Sequence, residues 1–133
     1  MLSAYLKREQ VPDHSALQEA IKALKFPLVL DRDYAPFEAG YVPCALDGED
    51  AGFDLRFKEM PADLSATPRL QSALDGRDTL MSFKWGGDPR EDAAASIVCA
   101  ALAKDFGAVV QDGYGDVLLS VDGLLVRAKA ALE

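Results

Sequence analysis

His14 is the only histidine in the chain, and imidazole is the side chain most often used as a general base near neutral pH. That work needs an orienting acid and a nucleophile brought close by the fold, and no G-x-S-x-G elbow marks such a nucleophile. His14 stands instead beside Pro12 and Asp13, where a helix is expected to begin. No catalytic residue is therefore assigned, and the chain is not expected to be an enzyme. Carboxylates gather in two turns, at Asp47, Glu49 and Asp50 and at Asp112 and Asp116. A calcium loop that starts at Asp47 would need a glutamate at its twelfth position, where this chain has Lys58. Two carboxylates at a hairpin tip are ordinarily solvated. Cys44 and Cys99 are the only cysteines; together with one histidine they fall short of the four ligands that zinc takes. Buried free thiols are the expectation. Gly86 and Gly87 precede a helix start, as in phosphate-binding turns, but Asp88, Glu91 and Asp92 already occupy the positive end an anion would use. No metal and no cofactor is expected.

What survives is binding. The chain has 133 residues, with 22 acidic against 14 basic side chains and a net charge of −8. This length suits one α+β domain with its own core. Nucleic-acid binding needs clustered Lys and Arg, and none is present. No apolar run approaches the roughly 20 residues of a membrane span, and an anionic bilayer would repel the protein. A cytoplasmic location is expected. The surface assigned to binding comprises Asp47, Glu49, Asp50, Asp112, Tyr114 and Asp116, where Tyr114 between two glycines has no cover from its own hairpin. Trp85, in register with Met81 and Phe83, is assigned to the core.

Several elements must position these groups. Leu17, Ala20, Ile21 and Leu24 give residues 13–25 a helical stripe, with Ser15 and Gln18 spaced as a capping box. Residues 26–31 read as a short strand in which Pro27 marks either an edge or the first strand position. Residues 41–46 and 53–58 read as strands of a hairpin joined by the acidic 47–52 connection, and alternation continues over 79–85. A helical turn is expected at 67–75. Asp88 and Pro89 must start a helix that Gly107 ends. Between Ala93 and Ala103 its one polar side chain is Ser96, so it is either covered on two sides or the seam of a homodimer. A second hairpin spans 108–120, and Ser120 can cap a last helix. Strands in runs favour an α+β sandwich: a mainly antiparallel sheet of about five to six strands with helices on one face.

The segments Gly40-Tyr-Val-Pro-Cys-Ala-Leu-Asp-Gly-Glu-Asp-Ala-Gly-Phe-Asp-Leu55, Phe83-Lys-Trp-Gly-Gly-Asp88 and Gly107-Ala-Val-Val-Gln-Asp112 resemble a group of small uncharacterised bacterial proteins. Some small, acidic, solitary proteins of this kind resemble immunity proteins of toxin systems, by analogy and through no residue-level motif. With the −8 charge, the polar turn tips and the lack of a catalytic set, the expectation is a protein that binds another protein, such as a basic toxin, through its acidic surface. The alternative is a small-molecule or enzymatic domain with a pocket under residues 59–78.

Overall fold

A computed structural model describes residues 1–32, 34–59, 76–112 and 117–132. Its larger sheet contains β1 (Leu2–Leu6), β3 (Gly40–Val42), β6 (Phe53–Glu59), β7 (Thr79–Lys84), β8 (Val109–Asp112) and β9 (Leu118–Leu119), in the order β3-β6-β7-β1-β8-β9. Every neighbouring pair is antiparallel. A second antiparallel sheet, in the order β2-β4-β5, holds β2 (Leu28–Leu30), β4 (Cys44–Leu46) and β5 (Glu49–Asp50). The helices are α1 (His14–Ala23), α2 (Pro89–Asp105) and α3 (Val121–Leu132). The fold is α+β, as the grouping of strands predicts.

Alternation builds the inner face of the larger sheet. Phe53 and Leu55 of β6, Met81 and Phe83 of β7, and Leu2, Ala4 and Leu6 of β1 are all buried, with Leu2 and Leu55 both opposite Phe83. The Phe53 and Phe83 rings meet at 5.2 Å. Helix α2 lies against this sheet with α1 and α3 beside it. Its ten residues from Ala93 to Leu102 are all at most 1% exposed. Small alanines let a helix be enclosed from several sides, and this is the reason for the missing polar face. Of the two expectations for 93–103, cover from several sides is what burial within the chain shows: its own sheet and helices enclose Ala93–Leu102.

The start of α2 matches its sequence signals. The Asp88 side chain accepts from the Arg90 N–H at 2.9 Å, Pro89 is in the first turn, and Gly107 takes φ +73° beyond the last turn. Ser120 accepts from the Gly123 N–H at 3.0 Å at the start of α3. In α1 the cap is Asp13, which accepts from the Ala16 N–H at 2.9 Å, rather than Ser15, which already lies within the first turn.

Three further expectations need correction. The run 41–46 is two strands, because Pro43 interrupts it and sends Gly40–Val42 to the larger sheet and Cys44–Leu46 to the smaller. The acidic connection is a two-residue turn, with Asp47 at φ +53° and Gly48 at φ +81°, the backbone an Asp-Gly hairpin adopts to match strand twist. Strand β1 was not expected at all, yet it is central. Trp85 is only half-buried at the margin of the core. The expected helical turn at 67–75 and most of the 59–78 segment that would cover a pocket lie outside the described residues.

Candidate functional site

None of the described Asp or Glu residues is buried; the buried polar residues are Ser3, Thr79 and Ser96. Among the described residues no three His, Cys, Asp or Glu side chains come together as a metal site. The described acids thus lie at the surface.

Asp47, Glu49 and Asp50 are brought together by the β4–β5 hairpin and all are exposed. Glu49 Oε2 pairs with Arg90 Nη2 at 2.8 Å, and Arg90 Nη1 also donates to the Leu46 carbonyl at 3.4 Å. The guanidinium pins the hairpin to the first turn of α2 while leaving Asp47 and Asp50 outward. Asp112, on the other sheet, sits 3.6 Å from Arg127 Nη1, and Arg127 Nε donates to Asp92 Oδ1 at 3.1 Å. The same guanidinium lies 5.8 Å from the centre of the Trp85 ring. Asp112 is thus half-buried in a network rather than displayed, although that network also reaches the first turn of α2. Tyr114 and Asp116 lie outside the described residues.

Two features of this end were not anticipated. Tyr41, taken as a strand residue, is 58% exposed. With the half-buried Trp85 it walls a hollow of about 270 Å³ whose rim carries Asp54, Glu91 and Lys84. The splitting of the 41–46 run at Pro43 is the signal that could have turned Tyr41 outward.

The smaller sheet has its own surface. Leu28 and Leu30 point inward, and Val29 between them is 61% exposed, as a period of two requires. Val29 borders two hollows, one of about 600 Å³ toward α1 and one of about 390 Å³ over β4 and β5. Helix α1 closes the open backbone edge of β2. The Leu30 N–H donates to Gln18 Oε1 at 2.7 Å, and Gln18 Nε2 donates to the Leu28 carbonyl at 3.0 Å. His14 Nε2 lies 2.8 Å from the Leu30 carbonyl; because a carbonyl only accepts, that nitrogen carries the proton. The only histidine is thereby tied to a strand edge.

Both thiols are buried and free. Burial pushes Cys44 up to about 12, helped by the charge of Asp31, and it raises Cys99 further still. Thiols held in the neutral form are poor nucleophiles. No helix among the described residues is long and apolar enough to cross a membrane. No family model, curated protein or solved structure matches the chain.

Proposed function

We propose that this protein works by binding another protein of basic character, through the end of the domain where α2 begins. The observation that carries the reading is that no described carboxylate is buried, so that the excess charge faces outward. Outward charge of one sign speeds encounter with an oppositely charged partner and makes the rate depend on salt. Asp47 and Asp50 extend from a hairpin held rigid by Glu49 and Arg90, and Tyr41 beside Trp85 supplies the aromatic anchor that interfaces favour. A cytoplasmic inhibitor or immunity protein for a basic toxin fits this chemistry.

The test uses a partner captured on the pure protein, followed by association rates over a range of salt. Reversal of Asp47 to Lys would place a long side chain at a positive φ, so neutralisation is the cleaner change. Combining Asp47→Asn with Asp50→Asn keeps the turn and the Glu49–Arg90 pair and removes two charges. Association should slow by about 3- to 10-fold at low ionic strength, with a flatter salt dependence. An unchanged rate and salt slope would reject this surface.

A further inference from the structure

The hollow between α1 and β2 has a charge unlike that of the molecule around it. The chain carries −8 overall, yet the charged side chains that line this hollow are Lys22 and Arg32 against one carboxylate, Asp47. Lys22 is held only loosely, 4.0 Å from an exposed Glu19, and Arg32 forms no ion pair among the described residues. The apolar lining of the hollow includes Phe26, Pro27 and Val29. A volume of about 600 Å³ falls within the range of small-molecule sites, about 300–1,000 Å³.

The strand edge beside the hollow narrows the class of ligand. A peptide docking as an added strand needs open backbone groups, and on β2 these already bond to Gln18 and His14. A ligand there must be read by side chains, through an apolar body and a negative head.

We propose that the hollow between α1 and β2 binds a small amphiphilic monocarboxylate, with its hydrocarbon or aromatic body on Phe26, Pro27 and Val29 and its carboxylate between Lys22 and Arg32. A guanidinium meets a carboxylate in a planar fork, and the ammonium adds a point charge. The site does not depend on the basic-partner reading, because its ligand has the opposite charge.

The experiment is a titration of isotopically labelled protein with sodium decanoate below its micelle concentration, followed by amide chemical shifts. Saturable shifts confined to residues 14–32 and 47–48 are expected. Combining Lys22→Gln with Arg32→Gln, both on exposed side chains, should weaken binding by about tenfold while the rest of the spectrum stays in place. Val29→Ser should weaken it by a similar factor through the apolar lining, with no charge added. Decanol, which has the same chain without the charge, should bind at least about tenfold more weakly. Four results would each overturn the proposal: scattered or unsaturable shifts, equal affinity for decanol, indifference to the double variant, or tighter binding of an acidic hexapeptide than of decanoate.

Discussion

The two sheets are held by different physics. The larger one rests on volume: Phe53, Phe83, Met81 and the alanines of α2 fill a space sealed from water. The smaller one has three residues in each of its longest strands, and polar clamps secure its margins: Gln18 and His14 on β2, Arg90 on the β4–β5 hairpin. Short strands have little apolar area to bury, so directed hydrogen bonds must set their position. The polar groups that fix the small sheet also leave it with a chemically varied surface. Both of the surfaces to which we assign binding touch it.

If that contrast is right, truncation should hurt the two regions unequally. Phe83→Ala should destabilise by about 3–5 kcal/mol in urea unfolding, since the cavity is walled by a rigid sheet and helix. Alkaline titration separates the regions next. Cys44 lies on the inner face of the small sheet and Cys99 in α2. Both thiols are raised in the folded state, so above about pH 9 the native protein keeps protons that the unfolded chain releases. Stability should therefore be full below pH 9 and fall as pH rises toward 12, by up to about 1.4 kcal/mol per pH unit for each thiol. Cys44→Ala and Cys99→Ala should each remove their own share of this slope.

Gly52 tests the junction. A Cβ there would press on the Tyr41 ring and lie 2.6 Å from the Val42 carbonyl, so Gly52→Ala should cost about 1–3 kcal/mol by overpacking. Gln18→Ala should cost about 1–2 kcal/mol, because it strips partners from two backbone groups, and hydrogen exchange should show lost protection at the Leu30 amide. Asp47→Asn should change stability by less than about 0.5 kcal/mol, as Asn suits the same turn. A larger loss there would mean that the hairpin depends on the carboxylate itself.

Legibility in the sequence followed the same divide. Strands β6 and β7 were readable because one face is wet, and α2 because Asp88, Pro89 and Gly107 bracket it. Strand β1 was not: Leu2, Ala4 and Leu6 face the core, while Ser3 and Tyr5 are also buried on the other side, Tyr5 by donating to Gln111 Oε1 at 2.9 Å. Burial on both faces erases alternation. The Asp47-Gly48 signal was in plain view, but the polar residues after it made the turn look longer than it is. The grouping of Lys22 with Arg32 could not be read, since ten residues and a change from helix to strand separate them.

The placement of β1 has a consequence for how the chain reaches this state. Leu2 lies opposite both Phe83 and Asp112, so β1 must wait for partners that lie far along the chain from it. Until β7 is present its apolar side chains have no sheet to join. Folding should be late, slow and all-or-none, because closing loops of that length costs entropy before any contact rewards it. A chain stopped before β7 would hold this strand as an exposed, adhesive segment.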